Sequence, residues 1–589
     1  MAVSDYEQRF ALDPGLRGGH ADLFSLRIGS VSIQGGAPVP ISTDGVTVVV
    51  GGNNAGKSTL LRQMHASLVA SWGATVLPQP YLLTAQELLL GGTQADAHAW
   101  FAADAYASDT GYVRGGVNVT PQMISLAYTH TPRMHLSNFG ASLALVPNAR
   151  SRFDAIRSVP RRPDISDPPN LDLHYFEEET ELMRSLNAYT KEIFGTGVTL
   201  DWLSGNVILR YGETTVEPDF EDLTPYRQDM AKLPPVESQG DGVGSTLGLL
   251  VPLIAGRNQI SFVDEPEAFL HPPQAFKLGR IVAEITAERR SQLIVATHDR
   301  NFVAGVLSLQ GADRTIIRLD RSGDTTTAHR VDPAELAKAW TSPLLRHSNI
   351  LDGLFHRAVV IAENERDCLF YAAALDETVP LPDGLLPNDV LFVSAHGKGG
   401  ATEIASILHA ARVPVLAALD IDALKEKSTL KTLVEAMGAT WTTDIDKDYE
   451  KATAEFRRTR KLVTNGDVQL AVDGVLGEAP DEAYTGATRR AVTRALTADD
   501  PWADVKRYGM NGFRADRQAA DRLVTALASE GVVLVPVGEL EGFAPSIGVK
   551  KGPEWLPAAL AADAHKNADS SAFAAQLAAA VIAREKALL

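Results

Sequence analysis

Cysteine is almost absent from this chain of 589 residues, and its scarcity excludes two classes of protein. With Cys368 alone, no internal disulfide can form and no thiolate-rich zinc site can be assembled. Apolar runs of membrane-spanning length are also lacking. The first ten residues do not show the basic and then apolar pattern of a signal peptide. We therefore expect a cytoplasmic protein that has no membrane partner.

Basic residues are also fewer than acidic residues. The formal net charge of −18 excludes a wholly basic protein that binds nucleic acid without specificity. It leaves room for a local basic groove, because carboxylates that bind metal ions themselves lower the net charge. Hydrophobic content of 45% and charged content of 22% are typical of a globular protein, and the length is enough for two or three domains.

A glycine-rich segment follows the first strongly predicted buried strand, Val46–Val50. The sequence there reads G-x-x-x-x-G-K-S, and a helix is predicted over Thr59–Val69. Main-chain N–H groups in such a loop bind the phosphates of a nucleotide, at the positive end of the helix. We expect Lys57 to reach the phosphates and Ser58 to ligate Mg²⁺. The residues of this predicted ATP site are Gly51, Asn53, Asn54, Ala55, Gly56, Lys57, Ser58 and Thr59.

Adjacent carboxylates end another predicted strand, in the sequence QISFVDEPEAFLH. The apolar run Ile260–Val263 leads into Asp264 and Glu265. Two acids at the end of a buried strand are costly unless a metal ion or a substrate uses them. One can hold Mg²⁺ while the next polarises an attacking water. The plainer alternative is a pair of acids that caps a helix, but the upstream phosphate loop favours the hydrolytic centre of an ATPase.

The pattern is weaker between about residues 75 and 235, which we interpret as an insertion. Helices are predicted over Thr84–Leu90 and Glu177–Phe194, and a pair of strands over Val198–Leu203 and Asn206–Tyr211. Basic residues also cluster here, and they fit a solvated loop as well as a surface that contacts phosphates. These residues are Arg150, Arg152, Arg157, Arg161 and Arg162.

A small polar turn, Ser238-Gln239-Gly240-Asp241-Gly242, precedes a predicted buried helix at Thr246–Ile254. This turn is the second of four segments that occur along the chain in the order GGNNAGKST, SQGDG, FVDEPEAFLHP and IVATHD. They resemble the ABC-ATPase branch that contains RecF, SMC proteins and the OLD (overcoming lysogenization defect) nucleases. The chain lacks the long heptad-patterned arms of SMC proteins, which disfavours a chromosome-tethering function.

This resemblance implies roles for individual residues. Two ATPase heads would sandwich ATP, and the turn containing Ser238, Gly240 and Gly242 would complete the partner's site. Asp264 would orient Mg²⁺ and Glu265 would act as general base. His298, which follows the apolar strand ending at Ala296, would contact the γ-phosphate.

A second set of acids lies in the C-terminal half. Strands are predicted over Ala358–Ala362, Val390–Val393, Val413–Leu419 and Val532–Val537. If they are parallel, their carboxyl ends converge, and the acids that follow them can bind hard cations there. Two ions about 3.5–4 Å apart would support phosphodiester cleavage. The alternative is a scatter of unrelated surface acids. The candidate residues are Glu363, Asp367, Asp420, Asp422 and Glu541.

A glutamate after the first strand, glycines after the next and then D-x-D resemble a Toprim domain. An ABC-type ATPase fused to a C-terminal Toprim domain is the architecture of the OLD family, which includes the Gabija nuclease subunit. The resemblance implies that Glu363, Asp367 and Asp422 hold one metal ion and that Asp420 and Glu541 help with a second. The family also has a late catalytic lysine, for which Lys566 competes with Lys550 and Lys551. Asn364 stands where the family usually has glycine.

The predicted fold is therefore α/β. It consists of an ABC-type P-loop ATPase over residues 1–345, with the insertion at about 75–235, and a Toprim domain of Rossmann-like parallel sheet over 346–589. The Toprim domain has a helical insertion at about 425–530, whose basic patches near Arg457 and Arg489 fit a surface that guides DNA or simply the solvated faces of helices.

The predicted function is an ATP-regulated DNA endonuclease of the OLD type, acting in defence against phage or plasmids. Its cofactors would be ATP and Mg²⁺, with Mn²⁺ or Ca²⁺ as alternatives at the Toprim site. Its partners would be double-stranded DNA, a second copy of the chain and a protein from a neighbouring gene. Two other functions stay open: a RecF-like ATPase whose Toprim-like domain binds without cutting, and a sensor ATPase that holds a separate toxic effector.

Overall fold

The computed structural model describes residues 3–70, 81–129, 136–146, 149–164, 169–341, 349–395, 398–457, 464–477, 483–496, 502–549 and 551–588. The chain divides into two compact units. The first comprises Met1–Phe355 and Ala410–Arg412, and the second comprises His356–His409 and Val413–Leu589. Among the described residues, no helix is both long and apolar enough to cross a membrane.

A six-stranded sheet forms the centre of the first unit. Its strands lie in the order Thr325–Val331, Arg314–Ser322, Val46–Gly51, Gln292–Ala296, Ile260–Asp264 and Ala144–Leu145. All neighbouring pairs are parallel except the pair at the first edge, which is antiparallel. Because the strand before the phosphate loop and the strand before the paired acids run in the same direction, both end at the same edge of the sheet. The sheet therefore brings the two predicted parts of the ATP site together.

The other strands in the described part of this unit form three smaller antiparallel sheets. One has the order Val39–Pro40, Ser25–Ile33, Leu83–Gly91; another has Val198–Asp201, Asn206–Tyr211, Val159–Pro160; the third has Tyr106–Ala107, Tyr112–Arg114, Val117–Val119. The predicted pair of strands on either side of Ser204-Gly205 is confirmed.

The prediction of a helix at Thr84–Leu90 is wrong, since these residues lie in the strand Leu83–Gly91. The segment is rich in leucine, alanine, glutamine and glutamate, which favour helices. It pairs instead along nearly the whole of Ser25–Ile33, and that tertiary pairing outweighs the local preference. This strand and Ala144–Leu145 place parts of the weakly patterned region within the sheets.

Helices pack against the strands of the first unit. The α-helices are Val3–Arg9, Lys57–Val69, Gln94–Asp104, Pro121–Thr129, Ser137–Leu143, Ala149–Ala155, Asp172–Glu178, Thr180–Phe194, Thr224–Met230, Asp241–Ala255, Pro272–Arg289, Arg300–Ser308 and Pro333–Thr341. Short 3₁₀ helices lie at Pro14–Leu16, Ala21–Leu23, Val236–Ser238 and Ile350–Phe355. The helix Asp241–Ala255 is apolar almost all round and is buried from Gly244 onward.

The second unit contains a four-stranded parallel sheet. Its strands lie in the order Val390–Ser394, Ala358–Ala362, Val415–Leu419 and Val532–Leu534, and every neighbouring pair is parallel. The four predicted strands are confirmed, although the last ends three residues earlier than the apolar run suggested. Their carboxyl ends lie at one edge of the sheet, where the acids of the second set follow.

The α-helices of the second unit are Glu365–Glu377, Lys398–Ala410, Lys427–Ala436, Thr443–Thr453, Asn465–Leu476, Gly486–Leu496, Ala503–Tyr508, Arg517–Ser529, Trp555–Ala561 and Ala568–Leu588. Its 3₁₀ helices are Pro382–Gly384, Pro387–Asp389, Ile421–Lys425, Ala454–Arg457, Gly509–Gly512, Leu540–Phe543 and Ala564–Lys566. A separate apolar core, which includes Phe370, Trp555 and Phe573, packs against the sheet.

Candidate functional site

The phosphate loop has the backbone that its glycines predict. Gly51 and Gly56 have positive φ values of 144° and 97°, in which other residues are strained. A Cβ atom at Gly51 would lie 2.4 Å from the carbonyl oxygen of Leu319, so the close packing of the loop also requires glycine. The helix Lys57–Val69 begins at this loop. Its first main-chain N–H groups are therefore available for phosphate.

Lys57 lies across the loop. Its Nζ donates to the carbonyl oxygens of Gly51 at 2.8 Å and Gly52 at 3.1 Å. Burial lowers the pKa of Lys57, while the charges of nearby Asp264 and Glu265 oppose that effect. An ammonium group in this place can bind the phosphates of a nucleotide that occupies the loop. The remaining predicted residues of this site, Asn53, Asn54, Ala55 and Thr59, lie in the same loop and first helical turn.

Ser58 and Asp264 meet, although 206 positions separate them in the sequence. The Ser58 hydroxyl donates to Asp264 Oδ1 at 3.1 Å. Burial raises the pKa of Asp264, and the hydrogen bond from Ser58 opposes that rise. A hydroxyl and a carboxylate at this separation are hard oxygen ligands of the kind Mg²⁺ prefers. These residues fit the magnesium ion that the loop requires.

Glu265 differs from its neighbour because its side chain is exposed. Its backbone has a positive φ of 48°, and its main-chain N–H donates to the carbonyl oxygen of Ala296 at 2.8 Å. His298 Nδ1 lies 3.4 Å from Glu265 Oε1, and both side chains are more than half exposed. The two predicted reactive side chains therefore stand together at the surface, beside the cation ligands.

Glu267 is a residue that our sequence analysis missed. It is buried and accepts a hydrogen bond from Thr297 Oγ1 at 2.7 Å, which links the two strand ends. His298 Nδ1 lies 3.7 Å from the same carboxylate. Burial raises the pKa of Glu267. The second carboxylate of the sequence Glu-Pro-Glu was the available signal, and its tertiary role is to fix the loop that presents His298.

The turn with Ser238, Gly240 and Gly242 lies at the start of the helix Asp241–Ala255. Ser238 and Gly240 are exposed, so the turn presents its polar groups to solvent. A Cβ atom at Gly242 would lie 2.9 Å from the carbonyl oxygen of Phe269, so this glycine is needed for packing.

The predicted basic cluster is not a free surface. Arg152 is fully buried and donates to the main-chain oxygens of Asp264 and Glu265. Arg157 pairs with Asp154, while Arg161 and Arg162 pair with Glu177 and Glu178. The side chain of Arg150 lies outside the described residues. Both alternatives considered for this cluster are therefore wrong for Arg152, because its charge is used inside the ATP site.

In the second unit, three of the predicted acids converge. One carboxylate oxygen each of Glu363, Asp420 and Asp422 lie within 4.8 Å of one another. They follow the strands Ala358–Ala362 and Val415–Leu419, which are neighbours in the sheet. Burial raises the pKa of Asp420 to about 8, and the charges of Glu363 and Asp367 add to the rise. Three oxygen ligands in one place fit a hard divalent cation such as Mg²⁺ or Mn²⁺.

Asp367 and Glu541 lie near this group but are used differently. Asp367 Oδ2 accepts the main-chain N–H of Asn364 at 2.9 Å and so caps the helix Glu365–Glu377. Burial raises its pKa, and the charge of Glu541 contributes to the rise. Asn364 stands where the resemblance led us to expect glycine, and its side chain takes part in the same N-terminal cap of the helix.

Lysines also reach the acids. Lys551 Nζ lies 2.7 Å from Glu539 and 3.5 Å from Glu541. Lys506 Nζ, from the predicted helical insertion, lies 3.3 Å from Asp422 Oδ2. Burial of Lys551 disfavours its charge, but the hydrogen bond that it donates to Glu539 and the charges of the nearby carboxylates raise its pKa overall. Lys506 was missed in the sequence because it follows no recognisable pattern. Glu539 follows the fourth predicted strand, but only Glu541 was chosen there as a candidate.

Lys566 is placed elsewhere, which corrects the choice among the late lysines. It pairs with Asp563 and with Glu377. Glu377 is the last residue of the helix whose first turn holds Asp367, roughly 15 Å away at 1.5 Å per residue. Of the three lysines considered from the sequence, Lys551 lies with the acids, and Lys550 lies outside the described residues.

Comparison with known protein families finds a match inside the first unit. Residues 176–304 match the family model described as "AAA domain, putative AbiEii toxin, Type IV TA system". No curated protein matches the chain. Together with the phosphate loop and its cation ligands, the family match supports an ATPase.

Three solved structures show a weak likeness. The SMC head bound to the C-terminal winged-helix domain of ScpA is 14% identical, covers 53% of this chain and 99% of its own, and has a TM-score of 0.33. The SMC head domain from Thermotoga maritima is 13% identical, with coverage of 52% and 99% and a TM-score of 0.27. CbiO1 from Clostridium perfringens, part of an ABC transporter complex, is 14% identical, with coverage of 54% and 91% and a TM-score of 0.27.

Proposed function

We propose that this chain is an ATP-regulated, divalent-cation-dependent DNA endonuclease of the OLD type. The observation that supports cleavage is the convergence of Glu363, Asp420 and Asp422 at the carboxyl edge of a parallel sheet. The sequence order of the nucleotide motifs and the acids after the strands supports the family. On this proposal, residues 1–345 are the ATPase and 346–589 the Toprim nuclease. A role in defence against phage or plasmids rests on the resemblance.

ATP hydrolysis would be divided among side chains of the first unit. The loop N–H groups and Lys57 hold the phosphates, and Ser58 with Asp264 holds Mg²⁺. Bound Mg²⁺ offsets the negative charge that develops on the phosphates. Glu265 orients and deprotonates the attacking water, and His298 beside it contacts the γ-phosphate. The arrangement separates cation binding by Asp264 from base chemistry by Glu265, whose exposed side chain is open to water.

DNA cleavage would take place in the second unit. Glu363, Asp420 and Asp422 would hold a divalent cation, which activates water and stabilises the leaving oxygen when bound. Lys551 takes the role that we first considered for Lys566, because its ammonium group lies among the acids and can contact a DNA phosphate. ATP binding would regulate access to this site by changing how two copies of the first unit pair.

The second candidate function is a RecF-like ATPase whose C-terminal unit binds DNA or a protein without cutting it. The contacts of Lys506 and Lys551 with Asp422, Glu539 and Glu541 favour this alternative. Ammonium groups neutralise part of the acidic cluster, and a cluster neutralised in that way has less need of metal ions.

Nicking of supercoiled plasmid by the purified full-length protein in Mg²⁺ or Mn²⁺, with and without ATP, distinguishes the two functions. We expect Asp420→Ala to reduce nicking by at least about 100-fold, because a cation ligand is lost, and to leave ATP hydrolysis within about two-fold of wild type. Lys551→Met should also reduce nicking.

The matched control is Lys566→Met, which removes a lysine that pairs with Asp563 and Glu377 away from the acids. It should nick like wild type. Nicking that persists in Asp420→Ala would contradict the nuclease assignment. Absence of nicking in wild type under every cation condition would favour the non-cutting alternative.

A further inference from the structure

Arg152 is a buried guanidinium beneath the nucleotide site. No part of its side chain is exposed. Its Nη1 donates to the carbonyl oxygen of Glu265 at 3.0 Å, and its Nη2 donates to the carbonyl oxygen of Asp264. Burial lowers the pKa of Arg152, while the charges of Glu267, Asp264 and Glu265 oppose that effect. A cation is therefore fixed under the backbone that presents the paired acids.

The backbone of that turn has an uncommon conformation, which the guanidinium of Arg152 contacts directly. The chain leaves the strand Ile260–Asp264 and turns sharply at Glu265, whose φ of 48° is rare for a residue other than glycine. The carbonyl oxygens of Asp264 and Glu265 both accept hydrogen bonds from Arg152, and that of Glu265 also accepts the main-chain N–H of Ala268 at 3.2 Å. The planar guanidinium can donate to both at once, which an ammonium group cannot do with the same geometry.

The same side chain also contacts the helix that follows the Ser-Gln-Gly-Asp-Gly turn. Arg152 Nη1 donates to Ser245 Oγ at 3.2 Å. A Cβ atom at Gly248 would lie 2.0 Å from the carbonyl oxygen of Arg152, and one at Gly244 would lie 2.8 Å from the ring of Phe153. The helix Asp241–Ala255 and the helix Ala149–Ala155 therefore pack with their backbones in close contact, and one cannot shift without moving the other.

We infer that Arg152 is a positioning residue for ATP hydrolysis, which holds the Asp264–Glu265 turn and ties it to the helix Asp241–Ala255. Because Arg152 contacts both, a shift of that helix would also move the turn that carries Glu265. The inference rests on the ATPase part of the proposed function and does not require the nuclease. It differs from both surface roles considered for the arginine cluster.

Steady-state ATP hydrolysis and nucleotide affinity, measured on the full-length protein, test this role. We expect Arg152→Met to lower kcat by about 100-fold and Arg152→Lys by about 10-fold, with nucleotide Kd within about three-fold of wild type, because the phosphate loop is intact. Guanidinium chloride at low millimolar concentration should restore part of the activity of Arg152→Ala. Ser245→Ala, which removes only the link to the helix, should lower kcat by about three-fold to five-fold.

The matched control is Arg157→Met, which removes an exposed arginine close by in the chain that pairs with Asp154. It should hydrolyse ATP like wild type. Hydrogen exchange gives a readout that does not need hydrolysis: the peptide spanning 260–271 should exchange faster in Arg152→Met while the remainder of the unit is unchanged.

Wild-type kcat and unchanged exchange in Arg152→Met would overturn the inference. If Arg152→Met does not fold, Arg152→Lys and Ser245→Ala decide the matter, since wild-type turnover in both would overturn it equally. A wild-type protein that binds ATP but does not hydrolyse it would contradict the proposed ATPase function instead. In that case the hydrogen exchange of the peptide 260–271 would still test whether Arg152 holds the turn.

Discussion

Asp264 and Glu265 show how neighbouring acids acquire different roles. The two side chains leave the same strand end, but Asp264 is half-buried against Ser58 while Glu265 is exposed beside His298. A half-buried carboxylate that accepts a hydroxyl hydrogen bond is suited to a cation. An exposed carboxylate near a histidine can reach a water molecule. The left-handed backbone at Glu265 produces this divergence, since it turns the second side chain away from the first.

The raised pKa of Asp420 predicts that the stability of the folded protein depends on pH. Its pKa of about 8 in the folded chain lies above the ordinary value of 3.8, so the folded state binds the proton more tightly than the unfolded state does. Its contribution to stability is therefore complete at low pH and is lost as pH rises through about 8. Without divalent cations, we expect the Tm to fall by roughly 5–10 °C between pH 5 and pH 9 on this account.

Thermal unfolding in EDTA measures this fall, and Asp420→Asn should remove most of it because the amide does not ionise. Mg²⁺ or Mn²⁺ should also reduce the fall at high pH, since a cation favours the ionised carboxylate. Equal falls in wild type and Asp420→Asn would show that other groups cause the pH dependence.

At the scale of elements, glycines set how closely helices approach. The helices Pro272–Arg289 and Arg300–Ser308 pack through Gly279 and Gly305, where added Cβ atoms would lie 2.2 Å and 2.1 Å from main-chain oxygens of Phe302 and Phe276. One of these helices follows the paired acids and the other follows His298. Their close packing therefore fixes the distance between the two loops of the predicted nucleotide site.

Gly305→Ala is expected to destabilise the first unit by about 2–3 kcal/mol, because the methyl group would overlap a carbonyl that cannot move without shifting a helix. Chemical denaturation of the full-length protein measures the loss. Gly205→Ala is the control, since a Cβ atom there meets nothing within 4 Å. A Gly305→Ala protein as stable as the control would show that the helices can separate at little cost.

At the scale of the whole molecule, the exposed turn around Gly240 predicts assembly on ATP. The resemblance to ABC ATPases implies that this turn completes the site of a second copy. We expect Glu265→Gln, which should bind ATP without hydrolysing it, to double in mass when ATP is added. Size-exclusion chromatography with multi-angle light scattering measures the molar mass with and without ATP.

Gly240→Asp should prevent the ATP-dependent doubling, because it places a carboxylate where the partner's phosphates would lie. Lys57→Ala is the control for nucleotide binding. When ATP is added, this variant should keep the mass that it has in the absence of ATP. Doubling that persists in Gly240→Asp would show that the copies associate through another surface.

Local patterns determined much of the two sheets. β-branched runs that end in glycines or acids predicted the central strands, because buried parallel strands need apolar residues and their carboxyl ends meet at one edge. The phosphate loop was equally clear, since only that spacing of glycine, lysine and serine provides N–H groups, a cation and a magnesium ligand together. Helix preference failed at Thr84–Leu90, where pairing with a distant strand decided the conformation.

Sequence alone thus determined the nucleotide loop, the paired acids and the strand-end carboxylates, because each depends on residues a few positions apart. Tertiary structure alone decided that Arg152 lies under the acidic turn, that Glu267 ties two loops together, and that Lys551 rather than Lys566 lies among the acids. Long side chains reach partners far away in the chain, and their partners are set by packing rather than by local spacing.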